Sequence, residues 1–119
     1  MNPKRVYNDY LNDILDSILK IEQFTENMKF NQFKEDVKTS YAVVRAFEII
    51  GEAAKEIPAE IKDKYSNIPW KEMASMRDKL IHAYFGVNLE VVWKTIQEEI
   101  PLLKPSVQKA IEEEKNSKE

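Results

Sequence analysis

One short segment carries the residue types that could do acid–base chemistry. It reads MRDKLIHAYFG, from Met76 to Gly86, and it holds the only histidine of the chain. An imidazole can accept or donate a proton near neutral pH, and a guanidinium can bind a phosphate through two donors while it stays charged. His82 could take the proton from a ribose 2′-hydroxyl or supply one to the leaving oxygen, while Arg77 holds the phosphate as negative charge builds on it. These two side chains are sufficient for cleaving RNA without a metal.

Other catalytic sites find little support in the composition. The chain has no cysteine, which excludes disulfides, thiolate metal ligands and a cysteine nucleophile. One histidine is too few for a typical zinc site, and the serines lack the strand-to-helix turn of a nucleophile elbow. We therefore expect neither a metal nor a cofactor.

Helical geometry separates the candidate side chains. At 3.6 residues per turn, positions seven apart point almost the same way, whereas positions five apart point about 140° apart. Arg77 and Tyr84 therefore share a face of a continuous helix, and His82 does not. His82 joins them if the helix ends near it, as a stop at Gly86 would allow, or if a second copy completes the site across a two-fold axis. Spacing alone favours the simpler interpretation, in which His82 caps or packs and Tyr84 is a core aromatic.

The surrounding sequence predicts an all-α fold, an antiparallel up-and-down bundle of four to five helices. It is expected to form one domain over residues 1–119. There are two glycines and no short alternating segments bounded by turn signals, so sheets have little support. Apolar residues at three- and four-residue steps predict a first helix over residues 6–28. A second helix is expected to begin at the cap residue Asn31 and to run until Pro58.

Proline and asparagine residues mark the ends of the remaining helices. Pro69 suits the first turn of the helix that carries the motif, and Asn88 suits the cap of the next one. Pro101 and Pro105 should kink or restart the last helical region. Residues 112–119 are charged and are expected to form a frayed tail.

The middle of the second helix, residues 41–54, is apolar nearly all round. This pattern predicts a central helix that neighbours cover on most sides. A narrow polar stripe must then face either water or a polar cleft. The stripe consists of Arg45, Glu48, Glu52 and Lys55.

The charge balance limits the partners. Lysine and arginine number 18 against 21 acids, giving a net charge of −3 and no overall basic face for duplex DNA. The acids of the first helix interrupt any signal-peptide core, and no run approaches the roughly 20 apolar residues that cross a bilayer. We expect a cytoplasmic protein without membrane contact, in which any nucleic-acid contact is local.

The motif and its flanks together resemble a known family. RDKLIHAY fits the Arg-x4-His-x-Tyr signature of HepT-like proteins, a branch of the HEPN superfamily (higher eukaryote and prokaryote nucleotide-binding domains). RAFEIIGEAAKEIP resembles the family's second-helix segment, and IPW, HAYFGVNLEVVW and EEIPLL resemble the flanks of the motif in the same order. The resemblance covers about residues 31–103, and the first helix fits by pattern only.

This resemblance implies a helical bundle that forms a homodimer with the motifs facing each other across a cleft. It also implies a metal-independent endoribonuclease that acts as the toxin of a two-gene, type VII-like toxin–antitoxin module. The antitoxin in such modules resembles a minimal nucleotidyltransferase, and transfer of AMP to the motif tyrosine neutralises the toxin. On this sequence Arg77 and His82 would be the catalytic pair, and Tyr84 would be the modified hydroxyl. Added phosphates would place negative charge and bulk where an RNA phosphate should sit.

The polar stripe of the second helix then has two interpretations. Glu48 and Glu52 could line the cleft beside Arg77 and hold its guanidinium. They could equally form solvated ladders on the helix surface, Glu48 with Arg45 and Glu52 with Lys55.

Three further residues near the motif could support RNA cleavage. Asp78 could orient Arg77 or His82, and the resemblance implies a polar residue at its position. Lys71 and Lys79 could assist RNA binding, although as surface lysines they could serve solubility alone. An acidic chain with one local basic site suggests a restricted substrate, such as a tRNA end or a ribosome-associated mRNA, rather than bulk RNA.

Two alternative functions use the same residues. Arg77 can bind a phosphate without any bond being broken, which would make the chain a non-catalytic nucleotide-binding or partner-binding subunit of a nucleotidyltransferase. In a purely structural helical oligomer, replacing His82 and Tyr84 would change stability and nothing else.

Overall fold

The computed structural model describes residues 3–81 and 88–116, and the side chains of these residues except 3–5, 77 and 79–81. Within these ranges the chain forms helices and short connections, with no strand, so the predicted all-α class is confirmed. The helices are α1 (Pro3–Thr25), α2 (Phe30–Glu35), α3 (Val37–Glu56), α4 (Ala59–Lys64), α5 (Trp70–Ile81), α6 (Leu89–Glu98) and α7 (Ile100–Asn116).

The helices pack as a bundle around one apolar core. Helix α3 packs against α1 and α5, α7 packs against α1 and α6, and the short α2 packs against α3 and α6. Lys55 near the end of α3 and Lys71 near the start of α5 line the same surface depression. Phe47 in the middle of α3 and Met76 further along α5 line another cavity. The end of α3 therefore lies beside the start of α5, and the middle of α3 lies beside the later part of α5. The two helices are antiparallel.

Helix α3 is the central element that the sequence predicts. Its buried positions recur every three to four residues and face the helices on both sides. Each buried valine, isoleucine or phenylalanine side chain stabilises the bundle by roughly 1.5–3 kcal/mol relative to an exposed one. The fully or almost fully buried apolar side chains of α3 are Val43, Phe47, Ile50 and Ala54. Tyr41 departs from this pattern, since 76% of its surface is exposed.

The predicted continuous second helix is wrong at Asp36, where the chain divides into α2 and α3. The Asp36 carboxylate accepts hydrogen bonds from the backbone N–H of Thr39 at 3.0 Å and from its hydroxyl at 2.7 Å. The bond from the Thr39 backbone N–H is the main cause that lowers the pKa of Asp36. An aspartate that caps a new helix competes with continuation of the old one. Asn31 is also not the cap, because α2 begins at Phe30.

The first helix ends three residues before its predicted end at Met28. The Thr25 hydroxyl donates a hydrogen bond to the Ile21 carbonyl at 2.8 Å in the last turn of α1. Asn27 then takes a left-handed conformation with φ of 62°. Asparagine tolerates this conformation, which turns the chain toward α2.

The expected frayed tail is wrong for residues 112–116, which continue α7. Glu114 is buried there, and its carboxylate accepts three hydrogen bonds. The Tyr7 hydroxyl donates to Oε1 at 2.7 Å, the Lys64 ammonium donates to Oε2 at 2.7 Å, and the Tyr65 hydroxyl donates to Oε2 at 2.5 Å. These bonds attach the last turns of α7 to α1 and α4.

The proline predictions hold in part. Helix α7 restarts at Ile100 with Pro101 in its first turn, as expected, whereas Pro105 lies inside the helix and does not end it. The Pro69 carbonyl accepts the Met73 N–H at 2.9 Å, so α5 begins at Trp70, one residue after the proline. Among the helices described, none is both long and apolar enough to cross a bilayer.

Candidate active site

Helix α5 positions the arginine of the motif. Its first turn is anchored by the Trp70 indole, which donates a hydrogen bond to the Tyr65 carbonyl at 3.1 Å. Trp70 and Met73 are buried on the side that packs against α3. The backbone of Arg77 is helical, so it lies on a fixed element that runs alongside the middle of α3. The Arg77 side chain lies outside the described residues.

The other two members of the motif fall in residues 82–87, which lie outside the described residues. The roles of His82 and Tyr84 therefore stay predictions, and so does the stop at Gly86. The description resumes at Asn88, whose side chain accepts hydrogen bonds from the N–H groups of Glu90 at 3.0 Å and Val91 at 3.2 Å. This confirms the predicted cap, so a helix with a defined beginning follows the motif.

The polar stripe of α3 is divided between two depressions. Glu48 is half-buried, and its Oε1 lies 3.5 Å from Nη1 of Arg45. This pair bears out one rung of the predicted ladder, although at that distance and exposure its contribution is small. Glu48 and Arg45 line a depression together with Leu89 of α6. Glu52 lines a different one, beside Tyr10 of α1.

Comparisons with known proteins identify the family. A family model described as "Ribonuclease HepT-like" matches residues 14–110. A protein of Thermococcus cleftensis named "Probable ribonuclease HepT" is 56% identical over 106 residues, which are 89% of this chain and 96% of that protein. The chain belongs to the HepT-like ribonuclease family. The expectations of HepT-like membership and of a ribonuclease are thereby confirmed.

Further HepT-like relatives carry provisional RNase names. One from Methanocaldococcus jannaschii is 49% identical over 111 residues, which are 93% of this chain and 92% of that protein. Another, from Caldanaerobacter subterraneus, is 45% identical over 106 residues, which are 89% of this chain and 95% of that protein. No solved structure matches the chain significantly.

The remaining candidates of this HepT-like chain lie on or beside α5. Asp78 is exposed, and the Lys79 side chain is outside the description. Lys71 is exposed at the opposite end of α5, in a depression with Lys55 and Lys62. The predicted contact of Glu48 and Glu52 with Arg77, like the support from Asp78 and Lys79, stays a prediction. No three acidic or histidine side chains within residues 3–81 and 88–116 lie close enough together to hold a metal ion.

An apolar cavity of about 440 Å³ opens beside the motif helix of this HepT-like protein. It lies between α3, α5 and α7, and Phe47, Met73 and Met76 form part of its wall. Leu102 at its edge is 74% exposed. Part of this apolar surface therefore faces solvent.

Replacing Asn88 with alanine is expected to lower the free energy of unfolding by about 1 kcal/mol, because both capping bonds of α6 are lost. Urea denaturation followed by circular dichroism measures the change. Asn88→Asp is the matched control, since its carboxylate can accept the same two bonds. An alanine variant as stable as the wild type would show that the cap contributes nothing to the fold.

Proposed function

We propose that this protein is a metal-independent endoribonuclease that acts in the cytoplasm as the toxin of a HEPN/nucleotidyltransferase toxin–antitoxin module. The observation that carries the proposal is the Arg-x4-His-x-Tyr motif in a chain of a ribonuclease family. The helical backbone of Arg77 and the capped start of α6 support it, because they provide fixed elements on both sides of the motif segment.

The cleavage step uses His82 for proton transfer and Arg77 for charge stabilisation. His82 takes the proton from a ribose 2′-hydroxyl, and the 2′-oxygen attacks the adjacent phosphorus. The bond from phosphorus to the 5′-oxygen breaks, and that oxygen takes a proton from water or from the second imidazole that a two-fold dimer supplies. Arg77 binds the non-bridging oxygens as their charge increases. The products are a 2′,3′-cyclic phosphate and a 5′-hydroxyl.

A homodimer is part of the proposal. Arg77 and His82 point apart on a continuous helix, so residues from two copies can complete one site more readily than residues from one copy. The RNA partner is a restricted one, a tRNA or an mRNA, because the chain as a whole is acidic.

The proposal is tested by expressing the chain in bacteria and by incubating the purified protein with total RNA in EDTA. Wild-type protein should arrest growth and cleave RNA, and His82→Ala should do neither while keeping its helical circular dichroism. If both proteins are inactive on RNA and harmless in cells, the ribonuclease proposal fails. Calorimetry with nucleotides, with Arg77→Ala as the control, then tests the non-catalytic binding function.

Neutralisation is expected to depend on the Tyr84 hydroxyl, the acceptor for AMP. Tyr84→Phe should cleave RNA at a rate within about threefold of wild type but resist a cognate nucleotidyltransferase supplied with ATP, because it has no oxygen to modify. Intact mass spectrometry should show steps of one adenylyl group on the wild type only. Equal modification of both proteins would place the acceptor elsewhere.

A further inference from the structure

An exposed aromatic ring lies on the first half of α3. Tyr41 is 76% exposed, although its neighbours Ser40 and Val43 are buried. It lines a depression of about 520 Å³ whose apolar part comes from Val37, Val44 and Leu89. A tyrosine in such a place offers a flat, rigid apolar face to a ligand.

Positive side chains flank this ring along the helix. Lys38 precedes Tyr41 by three residues and Arg45 follows it by four, so all three lie on one face and span about 10 Å along the axis. Lys38 is exposed, and the Arg45 side chain is 61% exposed. Lys34 from α2 lines the same depression and forms no ion pair with another described residue.

Acids nearby offset part of this charge. Asp36 caps α3 through its two bonds to Thr39, and its carboxylate also attracts Lys38. Glu48 lies at a long 3.5 Å from Arg45, which leaves most of the guanidinium's donors for another ligand. Glu35 is exposed at the end of α2. The surface around Tyr41 therefore presents an exposed aromatic face with one exposed cation on each side, Lys38 next to Asp36 and Arg45 next to Glu48.

The depression lies at the end of the bundle that holds the start of α6. Leu89 lines it and directly follows the Asn88 cap, at which the description resumes after residue 87. Because α3 and α5 are antiparallel, the first half of α3 also lies at the same end as the last turns of α5. A ligand on Tyr41 would therefore lie at the same end of the bundle as the last turns of α5, which carry Arg77.

We propose that Tyr41 stacks on one base of a single-stranded RNA substrate while Lys38 and Arg45 bind the flanking phosphates. This subsite rests on the proposed ribonuclease function and extends it to nucleotides away from the scissile bond. Stacking of bases on aromatic side chains is sequence-tolerant and is a general means of binding single strands. It provides the local nucleic-acid contact that an acidic chain needs.

A second copy of the chain fits this surface less well. A two-fold axis at Tyr41 would pair two antiparallel α3 helices and bring Lys38 of one copy opposite Arg45 of the other. Like charges at such a contact disfavour association. Lys34 and Arg45 also line this depression, whereas the described residues that line the cavity beside α5 include no lysine or arginine.

The experiment separates binding from cleavage by using His82→Ala as the parent. Fluorescence anisotropy with a labelled oligoadenylate measures affinity for the parent and for the same protein with Tyr41→Ala or Tyr41→Phe. Tyr41→Ala should weaken binding about tenfold, and Tyr41→Phe should stay within about twofold, because the ring and not the hydroxyl stacks. If alanine binds as tightly as tyrosine, if phenylalanine is as weak as alanine, or if the parent does not bind, the subsite is wrong.

Two further measurements test the phosphate contact of Lys38 and the possibility that Tyr41 contacts a second copy. Lys38→Gln should reduce the slope of log affinity against log salt by about one, whereas Lys115→Gln, next to Glu114 and its partners Tyr7 and Lys64, should leave it unchanged. Light scattering should give the same mass for all Tyr41 variants, and a loss of mass in Tyr41→Ala would make this surface a contact between copies instead. Failure of the ribonuclease function is a separate result, since it would appear as intact binding without cleavage by the wild-type chain.

Discussion

Replacing His82 with alanine is expected to slow RNA cleavage by at least about a hundredfold, because general acid–base catalysis contributes roughly 10²–10⁴-fold. Arg77→Ala should have an effect of about 10²–10³-fold, since the arginine stabilises charge that develops in the transition state. Arg77→Lys should recover only part of that loss, because an ammonium keeps the charge but not the two-pronged geometry. Single-turnover cleavage of one defined RNA measures all three.

The controls for these variants separate chemistry from folding. Lys115→Gln removes an exposed cation next to Glu114, whose bond to Tyr65 places it near the start of α5 rather than near Arg77, and should cleave at the wild-type rate. Thermal denaturation should give the same midpoint for His82→Ala and wild type within a few degrees. A His82→Ala protein that is fully folded and fully active would remove the histidine from the mechanism.

The second large effect concerns the buried carboxylate of Glu114. Burial by itself would raise the pKa of Glu114, but hydrogen bonds from Lys64, Tyr65 and Tyr7 outweigh it and lower the pKa to about 2. Burial and the bond to Glu114 raise the pKa of Tyr7 to about 12 and also raise that of Tyr65. These opposite shifts agree with a carboxylate that stays ionised and two phenols that stay neutral.

Glu114→Gln is expected to lower the free energy of unfolding near neutral pH by about 2–3 kcal/mol, because a charged acceptor of three bonds is replaced by a neutral amide. Guanidinium denaturation at pH 7 measures the loss. Glu112→Gln is the matched control, since Glu112 is exposed on the same helix two residues earlier. If both variants lose the same stability, the cluster around Glu114 contributes nothing specific.

The pH dependence of this difference follows from the direction of the shift. A carboxyl group with a lowered pKa in the folded state contributes stability that is complete above its unfolded value, near 4.5, and is lost as the pH falls toward about 2. Wild type should therefore lose stability more steeply than Glu114→Gln between pH 5 and about pH 3. The two curves should approach each other at the acid end.

The features that could be predicted are those that depend on local sequence. The three- and four-residue steps fix which segments are helical, and the side chain of Asn88 suffices to start α6. Asp36 is a local signal of the same kind, but the strong periodicity on both sides of it conceals the break. At Asp36 the apolar periodicity favours one continuous helix, whereas the hydrogen bonds from Thr39 to its side chain favour the start of a new helix. In the structure the hydrogen bonds prevail.

The features that were missed depend on residues distant in sequence. Glu114 resembles its charged neighbours, and its three donors lie 49 to 107 residues away along the chain. No local pattern could mark it as buried. Tyr41, by contrast, carries a signal in the sequence, because it lies four residues before Arg45 and seven before Glu48. It therefore shares the face of the polar stripe rather than that of the core.

The sequence predicts the helix that carries Arg77, but it does not predict which side chains surround Arg77. The sequence places Arg77 on a helix, and the described backbone agrees. Which side chains meet around it depends on the packing of α3, on the segment after Ile81 and on a second copy of the chain. Periodicity within one helix determines none of these three.

The chemistry of the RNA ends tests the central claim most directly. Wild-type protein in EDTA should produce a 2′,3′-cyclic phosphate and a 5′-hydroxyl at each cut, because His82 and Arg77 activate the ribose 2′-hydroxyl against its own phosphate. End-specific ligation and mass spectrometry of the fragments identify these groups, and His82→Ala should produce neither. Fragments with a 3′-hydroxyl and a 5′-phosphate, or cleavage that stops when metal is removed, would contradict the mechanism.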